Sequence, residues 1–296
     1  MTYRALRADS PWTAVDWTSF TREVQFRGRR LRYVDVGSGT PILLVHGLGG
    51  SWQTWLENLP ALSSRYRVIA VDLPGFGQSQ PLPQPVTIDD LVGSLTALLD
   101  ELDIGQAVVI GHSLGGLVSM RLADAHPDRV RRLILLSSGG APLGEARLAA
   151  INLGFTAFNA LFALPGVPGL IARRRMLRRT LLRGFTSDPD SLAPQLAAEV
   201  IPAMRAPGFK AAISAGVRAN RVMNPARITC PVLVIWGEND RILPLAAATE
   251  LVDNLADARL EVIEGVGHCA MFESPAVFNA IVLHYLEEAH TRPWVS

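Results

Sequence analysis

Ala107-Val108-Val109-Ile110-Gly111-His112-Ser113-Leu114-Gly115-Gly116 decides the fold. Ala107 to Ile110 is a short run of small and β-branched apolar residues, as expected for a strand buried on both faces. Glycines then mark a tight turn, and an apolar helical run follows to about Ala125. A serine on a sharp strand-to-helix turn is presented at the edge of a sheet. Small neighbours are needed there because the backbone is strained and crowded. The following helix points its N-terminus at any negative charge that develops beside the serine. One stretch thus predicts both an α/β sheet and a nucleophile, Ser113.

Outward from this stretch, short apolar runs alternate with amphipathic helical patterns, the signature of a mostly parallel sheet with helices on both faces. Arg22 to Phe26 and Leu31 to Val36 flank Arg27-Gly28-Arg29-Arg30 and read as an antiparallel hairpin. Ile42 to Val45, Val68 to Val71, Leu133 to Leu136, Val232 to Trp236 and Leu260 to Ile263 read as buried strands, which with 107–110 gives eight. Thr87 caps a helix with Leu91, Leu95, Leu98 and Leu102 on one face and Asp89 and Asp90 at its positive end. Ser274-Pro275 opens the last helix, with Phe278, Ile281, Val282 and Tyr285 as its apolar stripe. The alternation stops between about 141 and 224, where no strand can be read. Residues 141–224 are expected to be a helical cap over the carboxyl edge of the sheet, inserted between core segments 1–140 and 225–296.

Composition narrows the function. The 296 residues are 49% hydrophobic and 19% charged, enough for a large core and unlike a disordered chain. A net charge of +1 argues against nucleic acid as a partner. Cys230 and Cys269 cannot build a disulfide framework and read as reduced thiols of a cytoplasmic enzyme. Arg4 and Arg7 are followed by Asp9, Ser10, Pro11 and Asp16 with no apolar run, so a secretory leader is not expected. The uncharged stretch from Leu148 to Ala172 has almost the length of a membrane span. It is interrupted by Asn152, Thr156, Asn159, Pro165, Gly166, Pro168 and Gly169, which favours a buried or interfacial helix and a turn. Arg173-Arg174-Arg175-Met176-Leu177-Arg178-Arg179 follows, with Leu170, Leu177 and Leu181 on one side. Such a basic amphipathic run can rest on an anionic membrane surface; a solvated face paired with acids is the preferred reading.

A serine hydroxyl is a weak nucleophile and needs a base, which needs an orienting acid. The loop after the strand ending at Trp236 carries Gly237-Glu238-Asn239-Asp240-Arg241, and the loop after Ile263 carries Glu264-Gly265-Val266-Gly267-His268. His268 is the candidate base. Glu238, nearer the strand end, and Asp240, deeper in the loop, compete for the acid. Ser137-Ser138-Gly139-Gly140, after the strand ending at Leu136, offers no acid. His46-Gly47-Leu48-Gly49-Gly50 is placed to lend a backbone N–H to an oxyanion, paired with the residue after the nucleophile. Those donors are expected to be Leu48 and Leu114. His46 and His112 read as supporting residues.

HGxGG at 46–50, Asp72-Leu73-Pro74-Gly75-Phe76-Gly77-Gln78-Ser79, GHSLGG at 111–116, WGxxDxxxP from Trp236 to Pro244, and Gly267-His268 with Glu273-Ser274-Pro275 together resemble the α/β-hydrolase superfamily. The resemblance covers the chain outside the cap and about the first twenty residues. It implies a triad of Ser113, Asp240 and His268, with Leu48 and Leu114 as the oxyanion hole. Dehalogenases and epoxide hydrolases of that superfamily carry aspartate at the position of Ser113, so neither activity is expected. Carbon–carbon bond hydrolases acting on ring-cleavage products keep the serine, but typically within Asn-Ser-Met and with Trp after the histidine. Here the residues are His112-Ser113-Leu114 and Cys269.

Leu148, Ile151, Phe155, Phe158 and Phe162 recur at three- and four-residue steps in the cap. Phe155, Phe158 and Phe162 are candidates for the wall of an apolar acyl pocket, or equally for packing the cap onto the core. The expected function is a serine hydrolase cleaving small-molecule esters with apolar acyl groups through an acyl-enzyme, without metal or organic cofactor. Carbon–carbon bond hydrolysis, or transfer of the acyl group to another acceptor as in acyltransferases and perhydrolases, are the alternatives. A non-catalytic binding protein on the same fold is a third, disfavoured by the full set of motifs.

Overall fold

The eight apolar runs form one sheet in a computed structural model that describes residues 11–291; Arg4, Arg7, Asp9 and Ser10, read above for a leader, lie outside them. The strands are β1 (Thr21–Phe26), β2 (Arg29–Val36), β3 (Pro41–Val45), β4 (Arg67–Val71), β5 (Ala107–His112), β6 (Val130–Leu136), β7 (Val232–Gly237) and β8 (Ala258–Ile263). Their order across the sheet is β1-β2-β4-β3-β5-β6-β7-β8. β1 and β2 form a hairpin through Arg27 and Gly28, both at positive φ, the conformation that a tight two-residue turn demands. β2 is antiparallel to both β1 and β4, and the remaining neighbour pairs are parallel. β3 and β5 are neighbours, and the connection leaving β3 runs to β4 on one side while that leaving β5 runs to β6 on the other. That makes the carboxyl ends of β3 and β5 the switch point, where open α/β sheets leave a crevice.

Alternate strand residues feed two apolar layers. Leu43, Val45, Val109, Leu133, Leu135 and Val234 face one, under α2 (Ile88–Glu101) and α3 (Leu114–Ala125), which follow the short α1 (Leu59–Ser63) in the chain. Ile42, Leu44, Ile110, Ile134, Leu233 and Ile235 face the other. Thr87 begins α2 with a reciprocal cap: its hydroxyl accepts from the Asp90 N–H, and the Asp90 carboxylate accepts from the Thr87 N–H. β8 departs from the expectation of strands buried on both faces. As the edge strand it is largely half-buried, with Val262 exposed, and Arg259 and Glu261 guard the open edge against pairing.

Between β6 and β7 the chain makes five helices: α4 (Glu145–Ala163), α5 (Val167–Arg173), α6 (Arg175–Leu181), α7 (Pro194–Ala203) and α8 (Phe209–Asn220). After β7 come α9 (Leu245–Asp253), α10 (Ala270–Glu273) and α11 (Pro275–Thr291). Asn220 closes the insertion on itself, accepting from the Gly140 N–H at 2.6 Å and donating to the Ala141 carbonyl at 3.2 Å. Arg147 ties α4 to the β7–α9 loop through the carbonyls of Arg241 and Ile242.

The phenylalanine stripe of α4 splits. Phe162 is fully buried, stacks on Phe158 at 4.1 Å between ring centroids, and belongs to the apolar cluster that holds Ile171, Leu182 and Leu196. It packs the insertion together and borders neither cavity at Ser113, so of the two readings given for the stripe this ring follows the packing one. Phe162→Ala is expected to lower unfolding free energy by about 3–5 kcal/mol. Denaturant titration measures this, and a loss below about 1 kcal/mol would show that the ring is not part of a close-packed core.

Candidate active site

β5 ends at His112 and α3 begins at Leu114, which leaves Ser113 as the hinge with φ 52° and ψ −117°. A side chain rarely adopts positive φ, and such a residue persists only where its surroundings over-determine it. They do so here. The Ser113 N–H donates to the Leu136 carbonyl at 3.0 Å, and the Ser113 carbonyl accepts from Gly116, Leu117 and Gly139. A Cβ on Gly115 would collide with the carbonyls of Val45 and His46, and one on Gly116 with the Ser138 side chain. Glycine at both positions lets α3 lie directly on the sheet.

On the next loop but one, Nδ1 of His268 is 2.8 Å from Oδ2 of Asp240, and both side chains are buried. The other Asp240 oxygen accepts from the N–H groups of Ile242 and Leu243, each at 2.9 Å. Burial alone would push the Asp240 carboxyl up. The charge and hydrogen bond of His268 and the two N–H groups outweigh that, and hold it below the ordinary carboxylate range. An ionised Asp240 accepts from Nδ1–H, which leaves Nε2 as the basic nitrogen. Glu238 is exposed and turned away, accepting from the Gly265 N–H at 2.9 Å. Of the two competing carboxylates, Asp240 is the one on the histidine.

Glu273 holds the histidine loop, a role that the motif reading did not reveal. Its carboxylate accepts from the N–H groups of Gly267 (3.1 Å) and Cys269 (3.1 Å), on either side of His268, and from Ser187 of the insertion (2.7 Å). Burial raises its pKa, and these N–H groups oppose the shift. The sequence marked Glu273 as part of the Glu273-Ser274-Pro275 motif, without a role.

His46 and His112 are structural in their bonding. His46 donates from Nδ1 to the Gly47 carbonyl at 2.7 Å and accepts at Nε2 from the Leu73 N–H at 3.0 Å, while burial lowers its pKa to about 4. His112 donates from Nε2 to the His268 carbonyl at 3.0 Å, and burial first, then the neighbouring His268, lowers its pKa to about 3. Asp72 accepts from the N–H groups of Trp52 and Gln78, and burial raises it to about 6.

Ser113 borders two apolar cavities. One is lined by Gly47, Leu48, His268, Phe185, Leu192 and Met204 among others, the second by Leu114, Leu143, Leu148, Ile213 and Val217. Phe155 borders both, and also an outer groove with Arg147 and Arg241 at its rim; Phe158 reaches only that groove. The backbone N–H groups of Leu48 and Leu114 find no acceptor among the described residues. The structure thus gathers Ser113, His268, Asp240, Leu48, Leu114 and Phe155, and leaves Phe158 and Phe162 outside. A serine under backbone strain, a buried imidazole–carboxylate pair and two free N–H groups can together run acyl transfer.

Known proteins place the fold. The profile of the alpha/beta hydrolase fold matches residues 40–275. The 2-hydroxymuconate semialdehyde hydrolase of Pseudomonas sp. (strain CF600) is 33% identical over 90% of this chain and 94% of its own. The dihydrolipoyllysine-residue acetyltransferase component of the acetoin cleaving system of Pseudomonas putida is 34% identical over 90% of this chain and 69% of its own. Among solved structures, the meta-cleavage product hydrolase of Pseudomonas fluorescens IP01 superposes with a TM-score of 0.73 at 26% identity, covering 90% of this chain and 98% of that one. A thermophilic esterase from Thermogutta terrifontis shares the fold, with a TM-score of 0.73 at 24% identity, covering 91% of this chain and 100% of that one. With a match that spans most of its length and a sheet of the same plan, this chain belongs to the α/β-hydrolase family of enzymes.

Proposed function

We propose that the protein is a serine hydrolase acting on carboxylic esters with apolar acyl groups. The observation that carries this reading is the 2.8 Å His268–Asp240 pair, on a histidine that shares an apolar cavity with the strained Ser113. Nε2 of His268 takes the hydroxyl proton as Ser113 Oγ attacks the ester carbonyl, and Asp240 stabilises the imidazolium. The Leu48 and Leu114 N–H groups hold the oxyanion. The tetrahedral intermediate collapses as His268 returns the proton to the departing alcohol oxygen, which leaves an acyl-Ser113. Water then attacks with its proton passing to Nε2; the acid leaves, and Ser113 regains its hydrogen.

The cavity walls favour an uncharged substrate. No Lys or Arg lines either cavity at Ser113 among the described residues. The relatives support a second reading, hydrolysis of a carbon–carbon bond, by the same triad. A muconate semialdehyde carries a carboxylate, however, and Arg147 and Arg241 line the outer groove and neither cavity at Ser113. Arg147 donates to the carbonyls of Arg241 and Ile242, and Arg241 to that of Arg183. p-Nitrophenyl esters from acetate to laurate, assayed beside a ring-cleavage dienone acid, separate the readings. Ester turnover is expected to exceed dienone turnover and to fall about a thousandfold or more in Ser113→Ala. A fluorophosphonate adduct on another serine, or faster turnover of the dienone, would overturn the assignment.

The acid is tested by a matched pair. Asp240→Asn is expected to lower kcat by about a thousandfold or more, because the amide cannot hold the reactive tautomer of His268. Glu238→Gln should leave kcat within about threefold of the wild type, since its bond to Gly265 lies at the surface. Equal losses in the two variants would remove Asp240 from the triad.

Among the described residues, Phe155 is the one side chain that borders both cavities and the groove. Phe155→Ala should join these spaces and move the preferred ester toward longer acyl chains. Each methylene in such a pocket is worth about 1–3 kcal/mol of discrimination, enough to reorder the series. A lowered melting temperature with an unaltered chain-length ranking would make Phe155 part of the scaffold instead.

A further inference from the structure

α4 presents apolar residues on both of its sides. Leu148 and Phe162 are buried, and Ile151, Phe155 and Phe158 are half-buried against the body. Its outer side should then be polar, as on most surface helices. Instead Ala146, Ala149, Ala150, Leu153, Ala157, Ala160 and Leu164, at three- and four-residue steps, are all exposed. α4 is the one helix among the described residues long and apolar enough to cross a membrane. It does not stand free to do so, because Leu148 and Phe162 are packed into the molecule and Arg147 and Asn220 fasten the insertion at its base.

Exposed apolar side chains recur past α4. Leu153 is 72% exposed, Leu164 52%, Leu170 49% and Met176 70%. Five of the seven large apolar side chains exposed among the described residues fall between 141 and 224. Isolated exposed apolar residues need no explanation, but a concentration of them on one insertion does.

Charge follows the same division. Residues 141–224 hold eleven Lys and Arg against four Asp and Glu, while the remainder holds 17 against 23, so the near-neutral chain is polarised. The arginine run sorts itself by environment. Arg178 is buried and donates to the Ala172 carbonyl, while Arg175 and Arg179 pair with Asp190. Arg173 and Arg174 are exposed, with no acidic partner among the described residues. They stand three and four residues after Leu170, on its side of the helical turn, and two or three before Met176. Unpaired guanidinium groups beside exposed leucine and methionine complement a surface that is anionic outside and apolar beneath. An anionic phospholipid leaflet has that chemistry in layers, whereas nucleic acid offers the anionic charge without the apolar layer.

We propose that the α4–α6 face is a peripheral docking surface for an anionic phospholipid membrane, with Leu153, Leu164, Leu170 and Met176 seated among the acyl chains and Arg173 and Arg174 on the headgroup phosphates. The inner side of α4 lines the cavities at Ser113 through Phe155. Docking therefore puts one helix between the lipid and the reacting serine, and an apolar ester dissolved in the bilayer has a short route inward.

Sedimentation with vesicles tests this, and the readout stands whichever bond the enzyme cleaves. The full-length protein is spun with phosphatidylcholine vesicles with and without phosphatidylglycerol, beside two double variants, Leu153→Asp with Met176→Asp and Arg173→Glu with Arg174→Glu. The wild type should bind the anionic vesicles, more weakly as salt is raised, and each double variant should lose about tenfold or more of that binding. Turnover of a soluble acetate ester and the melting temperature should stay unchanged in both. No binding to anionic vesicles, binding that both variants retain, or binding indifferent to phosphatidylglycerol would each overturn the proposal. A concentration-dependent dimer that Leu153→Asp dissolves would overturn it too, by assigning the face to a second copy of the chain.

Discussion

At the carboxyl end of β3 the carbonyls of Val45 and His46 leave no room for a Cβ on Gly115, so the first turn of α3 rests on the end of the neighbouring strand. This contact sets the distance between the two glycine-rich loops. It brings Gly47 so near Ser113 that a Cβ there would stand 3.1 Å from that of the serine, and places Leu48 on the same cavity wall. Leu48 and Leu114 come from loops distant in the chain, and both line one cavity beside Ser113. The strain at Ser113 follows from the same geometry. Positive φ at a serine costs on the order of 1–3 kcal/mol, and the four backbone hydrogen bonds around it hold the turn in place.

His268 is fixed from two directions. Its N–H donates to the Phe185 carbonyl in the insertion at 3.0 Å, and its carbonyl accepts from His112, the residue before the serine. Glu273 reinforces this by binding N–H groups on both sides of the histidine and one in the insertion. The ring orientation depends on Asp240, whose free oxygen is in turn spent on Ile242 and Leu243. The imidazole is therefore referenced to β5, to the β7–α9 loop and to the insertion at once. Phe185 serves twice, as wall of the cavity and as backbone anchor of His268, so a shift of the insertion changes the shape of the pocket and the position of the histidine together.

The strands and the serine turn were legible because their signals are local: β-branched runs bounded by glycine, and a motif whose residues touch one another. Asp240 and Glu238 were harder to separate, since they are two positions apart on one loop and only its folded path sends one to His268 and the other to Gly265. The phenylalanine stripe divided between its two readings for a different reason. Phe155 and Phe162 do share a face of α4, but seven residues separate them by about 10 Å along the axis. Periodicity reports direction around a helix, and it is silent about which end lies over the serine. Glu273 escaped for a third reason, because its partners are backbone N–H groups, which no side-chain pattern records. The edge position of β8 was missed, because the run Leu260 to Ile263 was read without the alternation of Arg259 and Glu261 with apolar residues.

The two-sided apolar character of α4 links these observations. A helix that only had to pack on the body would need one apolar stripe, and polar residues opposite would improve solubility at no cost to the core. The buried stripe alone accounts for the attachment of α4, through Leu148, Phe162 and the half-buried rings between them. The outer stripe adds nothing to that packing and exposes Leu153 to water. Its presence is therefore a requirement of some other environment, and the unpaired Arg173 and Arg174 beyond the next turn restrict which environment that can be. An apolar neighbour alone would not need them, and a polar anion alone would not need the leucines. The physical constraint is a partner with both properties in layers, and it acts on the helix that also forms the wall of the pocket at Ser113.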